Sequence, residues 1–211
     1  MKTILPILLI CIMSLSGCAV TSTSTVKVNQ PEKYYIGLLS LIVDSQADIS
    51  ELDSVTYEEQ IRGKFNNLEN HRYRKQLEKT LLRNFERPNA QTRLVKSSDI
   101  FDINTDFTYS QFLAKLRETG VDGILFVKQS NYWYSTNYTT VLHNNVATTT
   151  SSDQPNAAFH AYLIDTHTLK PVWYADSKVY GVSAGYDTLN NHLARILFNK
   201  LRKDKYILAR R

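Results

Sequence analysis

Apolar positions along this chain follow two different rhythms. Tyr34 to Val43 is a nearly continuous apolar run, which predicts a strand buried on both faces. Asp44 to Val55 is polar and acidic and predicts a loop. Thr56 followed by Glu59 is a capping-box pattern, so a helix is expected from there, with Ile61, Phe65 and Leu68 on one face. Tyr73, Leu77, Leu81 and Phe85 continue at intervals of four until Pro88, with Gly63 or Asn66-Asn67 as the place where two helices would divide. Thr92 to Lys96 predicts a short strand. Thr108 to Thr119 predicts a helix with Phe112, Leu113 and Leu116 inward and Gly120 as its C-terminal glycine.

Ile124 to Val127 is again apolar throughout and predicts a second doubly buried strand, continuing through Tyr132, Trp133 and Tyr134. Residues 135–156 are rich in Thr, Ser and Asn with weak alternation, and fit either a long exposed hairpin or a disordered segment. Ala157 to Asp165 and Val172 to Tyr180 flank a turn and predict an antiparallel pair, with Pro171 at a strand's start. Tyr186 to Lys203 predicts the last helix, with Leu189, Leu193, Ile196, Leu197 and Leu201 on its apolar face. Helices between strands imply parallel crossovers, and hairpins imply antiparallel pairs. The expected fold is therefore an α/β (α+β sandwich) domain over residues 34–205. It has a mixed parallel/antiparallel sheet with helices packed on it.

The N-terminus changes the picture from fold to location. Residues 1–17 have a basic start, an apolar run from Ile4 to Leu15 and small residues after it, the parts of a secretory signal peptide. The run is too short for a membrane span, which needs about 20 residues. Leu15-Ser16-Gly17-Cys18 resembles the lipobox of bacterial lipoproteins. That resemblance implies cleavage before Cys18, a covalent diacylglycerol on its sulfur and an N-acyl chain on the new amino terminus. Ala19 in the next position resembles the outer-membrane sorting pattern. The expectation is an outer-membrane, lipid-anchored protein on the periplasmic face. Residues 18–33 would form the lipidated cysteine and a flexible tether reaching at most roughly 50 Å. Of two cysteines, Cys11 leaves with the leader, so the mature chain has no partner for a disulfide and no thiol set for zinc.

Charge narrows the partners. The formal net charge is +5, and most of the excess sits in Arg202, Lys203, Lys205, Arg210 and Arg211, with Asp204 among them. Balanced charge elsewhere argues against a nucleic-acid domain. The cluster suits a helix end and a solvated basic tail, 206–211. It also suits contact with anionic headgroups or cell-wall carboxylates.

Three segments carry a further resemblance: Tyr35-Ile36-Gly37-Leu38-Leu39, Gly120-Val121-Asp122-Gly123-Ile124-Leu125, and Tyr162-Leu163-Ile164-Asp165-Thr166 with Val172-Trp173-Tyr174-Ala175. Together they are similar to the domain shared by the TolB N-terminal region, penicillin-binding-protein activator lipoproteins and the curli-secretion lipoprotein. The resemblance covers roughly residues 34–205. It implies an envelope role through protein contacts and brings no catalytic residues. The polar stretch 135–156 and the short tether depart from it.

Candidate chemistry is sparse. Gly181-Val182-Ser183-Ala184-Gly185 matches G-x-S-x-G between a predicted strand and helix, where a nucleophile elbow would place Ser183. Asp187 and His192, the nearest acid and base that follow it, both lie on or beside the helix that the serine opens, so a helix-capping Ser183 is the preferred reading. A serine hydrolase acting on envelope lipid or cell wall is the enzymatic alternative. His71, His143, His160, His167 and His192 show no metal-ligand spacing, although His143 and His160 would meet across a 141–164 hairpin. Asp44, Asp48, Glu51 and Asp53 lack the order of a calcium loop, and Asp99, Asp102 and Asp106 read likewise as solvated acids. No metal or other cofactor is expected.

Tyr132, Trp133, Tyr134 and Tyr138 are the candidate contact anchors. As a membrane hairpin the segment is too polar, since its even positions run Tyr132, Tyr134, Thr136, Tyr138, Thr140 and Leu142. The sequence thus suggests a non-catalytic protein-binding module that assists or regulates assembly of a cell-envelope complex. An envelope protein is the expected partner. A homo-oligomer, as in a secretion or pore component, is the further alternative.

Overall fold

A computed structural model describes residues 20–27, 34–43, 48–64, 71–86, 91–102, 105–180 and 186–208. Among these residues six strands form one open sheet: β1 (Val20–Lys27), β2 (Gly37–Val43), β3 (Arg93–Lys96), β4 (Gly123–His143), β5 (Val146–Asp165) and β6 (Pro171–Tyr180). Among the described residues four α-helices accompany them: α1 (Ser54–Gln60), α2 (His71–Phe85), α3 (Tyr109–Glu118) and α4 (Tyr186–Lys203). The strand order is β1-β6-β5-β4-β2-β3, with β2 parallel to β3 and β4 and the other pairs antiparallel. The fold is the expected α+β class with a mixed sheet.

Apolar runs become doubly buried strands because helices cover both faces of the middle of the sheet. On one face Leu77, Leu81 and Phe85 of α2 and Leu189, Leu193, Leu197 and Leu201 of α4 pack on Leu38, Leu125, Val127, Leu163 and Trp173. On the other, Tyr57 of α1 and Phe112 and Leu116 of α3 pack on Leu39, Leu41, Ile124 and Phe126. Ile196 and Leu113, expected inward, are only half-buried. Gly123 lies between the layers: a Cβ there would come within 2.7 Å of Leu38 Cδ2 and Tyr35 Cδ1.

The helix ends are locally encoded. Asp53, rather than Thr56, caps α1 by accepting from the Thr56 N–H at 2.8 Å. The carboxylate wins because it sits at the position whose oxygen reaches the third helical N–H. Gly63, with φ +66°, breaks the chain after α1. Thr108 and Gln111 form a capping box on α3, and Gly120, with φ +61°, ends that segment. Helix α4 closes with Tyr206 N donating to Leu201 O and Lys205 N to Arg202 O, the two bonds of a Schellman end, with Lys205 at φ +67°.

Two expectations at the chain ends are corrected. Part of the flexible tether 18–33 is strand: β1 pairs along β6 from Val20 opposite Tyr180 to Lys27 opposite Trp173. Alternating Thr and Ser suit an extended backbone, and the outer edge of β6 supplies a full ladder of partners. The basic tail 206–211 is not solvated from its start. Tyr206 and Ile207 are buried, Ile207 bridges to Tyr35 in parallel, and Leu208 O accepts from Gln91 N at 3.1 Å. Its apolar residues outweigh its charge. Asp204 is also buried and accepts from the Trp173 indole N–H at 3.0 Å. Residues 1–19, with Cys11 and Cys18, lie outside the described residues. So do Phe65, Leu68 and Pro88.

Candidate functional site

Strands β4 and β5 outrun their neighbours. Strand β2 pairs with β4 only through Lys128, and β6 pairs with β5 only from Ala157 onward. Beyond those points Trp133–His143 and Val146–Asn156 pair with each other alone, in an unbroken register. Eleven residues on each side, at about 3.4 Å each, give a two-stranded ribbon roughly 35 Å long. The stretch 135–156 is thus an ordered hairpin. Its turn is Asn144-Asn145, both at positive φ (47° and 65°), the backbone that a tight two-residue hairpin demands and asparagine tolerates. Threonines supply strand propensity where no core does. Thr136 Oγ1 donates to Asp153 at 2.7 Å, and Thr140 and Thr149 share a 2.9 Å bond.

A bulge sorts the aromatic residues. The register shifts between Gln129 and Asn131, so the parity of β4 changes. Before it, Leu125 and Val127 face α2 and α4; after it, Tyr132 stands opposite Ala157 on that same face. Tyr132 is half-buried with its ring edge-on to Phe159 at 5.7 Å, so it closes the core rather than projecting from it. Tyr134 and Tyr138 continue this face and are 61% and 73% exposed. Trp133 takes the opposite face and is 37% exposed. Val141, Leu142 and Val146 are exposed toward the tip. The ribbon holds one carboxylate, Asp153, and no lysine or arginine. Among the described residues no strand pairs with its two outer edges.

The foot of the ribbon is anchored by polar groups that satisfy one another. Lys128, buried, donates to Asp48 Oδ1 at 2.9 Å, and Tyr162 OH donates to the same oxygen at 3.0 Å. These bonds hold the Asp48 carboxyl below its usual range. Burial, then Asp48, pushes the Tyr162 phenol up. His160 is opposite Lys128 on one side and Asp176 on the other, and its Nδ1 is hydrogen-bonded to Tyr174 OH. Burial outweighs the Asp176 charge and lowers the His160 pKa. The group reads as a clasp from the loop before α1 to three strands, not as a nucleophile with a base.

The other sequence candidates are dispersed. His143 is at the ribbon tip and His160 at its foot, so they do not meet; the turn falls at 144–145, too close to His143 for a 141–164 hairpin. Among the described residues no three His, Cys, Asp or Glu side chains are placed to hold a metal. Glu51 lies 3.8 Å from Lys170, Asp99 pairs with Lys96 at 2.9 Å, and Asp106 pairs with Arg62. Arg202, Lys203 and Lys205 are exposed around the end of α4. Ser183 with its two glycines, Asp44, Arg210 and Arg211 lie outside the described residues. Among the described residues no helix is long and apolar enough to cross a membrane, which leaves strands unaddressed.

No family model matches this chain, and no curated protein matches it. Among solved structures it is similar to the PelC dodecamer from Paraburkholderia phytofirmans, at TM-score 0.47 and 12% identity over 88% of this chain and 98% of that one. It is also similar to lipoprotein GNA1162 from Neisseria meningitidis, at TM-score 0.41 and 12% identity over 79% and 98%. Likeness at this level transfers no residue role and no assembly to this chain.

Proposed function

We propose that this chain is a lipid-anchored, non-catalytic envelope module that docks on a protein partner through the Trp133–Asn156 ribbon. The ribbon itself carries the reading. Two-stranded ribbons are marginal on their own, and natural edges are normally guarded by charge, proline or cover. This one has two open edges, almost no charge, a proline only at its foot (Pro155) and exposed Tyr134, Tyr138, Val141 and Leu142. Such an edge accepts an added strand, with alternate side chains read by the partner.

The register supports a partner at the membrane. Val20 stands opposite Tyr180, and Val179 stands opposite Ala157, where the ribbon leaves the sheet. The chain leading to Cys18 therefore departs from the same sheet end as the ribbon. Cys18 lies two residues before β1, within about 7 Å of it along the chain. An acylated Cys18 would hold that end against the bilayer, with the ribbon directed at whatever lies in or on it. The lipobox and the resemblance to TolB-like and penicillin-binding-protein activator domains agree with an outer-membrane, periplasmic-face location.

The test is a photoreactive residue at Tyr134 or Tyr138 in living cells, with the exposed His167 in the β5–β6 turn as control. Adducts with one envelope protein from both ribbon positions, and none from the control, support the reading. Equal adducts from ribbon and control, or none from the ribbon, reject it. A second reading rests on the same edges. The β4 edge of one copy can pair with the β5 edge of another, a head-to-tail contact that generates a ring where the rotation closes and a filament where it does not. Adducts between copies alone would select it.

A further inference from the structure

A groove between α2 and α4 is unrelated to the ribbon and has a coherent chemistry. Its volume is about 400 Å³, and Arg83, Asn84, Thr188, Asn191, His192 and Arg195 line it. Thr188, Asn191, His192 and Arg195 fall at helical spacing on one side of α4, with Thr188 in the first turn, where the helix end is positive. Among the described residues no carboxylate lines the groove. Arg83 donates to Asn191 Oδ1 at 3.4 Å and Arg195 to His192 Nδ1 at 3.1 Å, so each guanidinium has a neutral contact here. Glu86 and Asp187 are the nearest acids in sequence. Neither forms an ion pair with these arginines among the described residues.

Two further details define the occupant. Asn84 is 4% exposed, its Nδ2 is spent on Thr80 O at 2.8 Å, and its Oδ1 is buried with no hydrogen-bond partner. That oxygen calls for a donor. His192 accepts at Nδ1, which places its proton on Nε2 as a donor in the neutral ring. The volume equals roughly a dozen waters at about 30 Å³ each, well above the need of a single inorganic anion.

We propose that this groove binds a polyol phosphate ester, the phosphate held by Arg83, Arg195 and His192 and a hydroxyl donated to Asn84. Paired guanidiniums from two helices match phosphate geometry. The phosphoglycerol unit has both parts and comes either free or as a lipid headgroup.

The test follows the His192 ring by NMR in the full chain, held in phosphatidylcholine bicelles and titrated with sn-glycerol 3-phosphate or inorganic phosphate. A parallel sample carries phosphatidylglycerol in the bicelle. Expected is a shift and a raised pKa at His192, with glycerol phosphate bound more tightly than phosphate. Combined R83A and R195A, both at exposed positions, should weaken binding roughly tenfold or more while leaving the thermal transition in place. N84L should keep phosphate binding and lose the preference for the glycerol ester. Response to the soluble ester assigns a free ligand, and response to phosphatidylglycerol alone assigns the headgroup; both support the site. Equal affinity for phosphate and its ester overturns the hydroxyl contact. No His192 response to any probe, or an unchanged response in the double variant, overturns the site.

Discussion

Strands β4 and β5 run side by side through two environments. From Gly123 to Val127, and opposite them from Ala161 to Asp165, nearly every side chain is buried, under helices on both faces. From Thr136 to His143, and opposite them from Val146 to Asp153, every residue is exposed. The backbone pairing is the same and the register is continuous on either side of one bulge. What differs is the source of order. At the foot it is apolar burial, worth about 25 cal/mol per Å². In the ribbon it is threonine propensity, cross-strand hydroxyl bonds and an asparagine turn, each worth no more than about 1 kcal/mol. The foot makes the domain stable, and the ribbon depends on it.

The sharpest way to break this comparison is at Trp173, fully buried on the α2/α4 face and bonded to Asp204. Trp173→Ala should cost about 3–5 kcal/mol in a urea melt, since it opens a large cavity and removes the indole donor to Asp204. A cost below about 1 kcal/mol would mean that this core does not dominate stability. Next is Gly123→Ala, where Leu38 and Tyr35 leave the new methyl no room. Overpacking of this kind costs about 1–3 kcal/mol. The equivalent addition in the ribbon, Ser151→Thr, should be neutral, because that position is exposed and β-branched residues suit it.

The foot of the ribbon also predicts a pH response. The His160 pKa is lowered by burial, so the unfolded chain takes up this proton before the folded one does. Its contribution is complete above the ordinary histidine value near 6.5 and is lost as pH falls through the lowered folded value. The Asp48 carboxyl, lowered chiefly by Lys128, acts in the same direction further down, through the carboxylate range. Stability should fall in two steps on acidification. His160→Gln should shrink the upper step without abolishing it, as read from melts across pH, because burial lowers the His192 pKa too. An upper step of unchanged size would exclude His160 as a source.

How much of this was legible in the sequence depends on which forces set each part. Strand β2, the core of β4, α3 and α4 follow from apolar runs, spacing and the Thr108 cap, because burial and local bonds act at the residues themselves. Strand β1 was not legible. Thr-Ser alternation resembles a linker unless the open edge of β6 is known, and that edge is a tertiary fact. Tyr206 and Ile207 were masked by the charge around them. The aromatic anchors stand out in the sequence, but their faces do not. The Gln129/Asn131 bulge reverses parity, and it turns Tyr132 into the core while leaving Tyr134 and Tyr138 outside. The α2/α4 groove joins residues more than a hundred positions apart and exists only after the helices pack.

The smallest effect on stability should come from the largest change in covalent structure. Replacing Ser135–Gln154 by Asn-Gly joins Tyr134 to Pro155, which already face each other, through a two-residue turn suited to that backbone. Every contact named in the core lies outside the deleted segment. A shorter loop also loses slightly less entropy on closing. The urea midpoint should therefore move by less than the equivalent of about 1 kcal/mol, while photo-crosslinks from Tyr134 to any partner disappear. Unfolding of this variant would show that the ribbon helps to hold the sheet, and the division between a stable foot and a dependent ribbon would fail. An unchanged melt with crosslinks intact would keep that division but move the docking surface to the foot, where Trp133 and Tyr134 are exposed aromatics left in place.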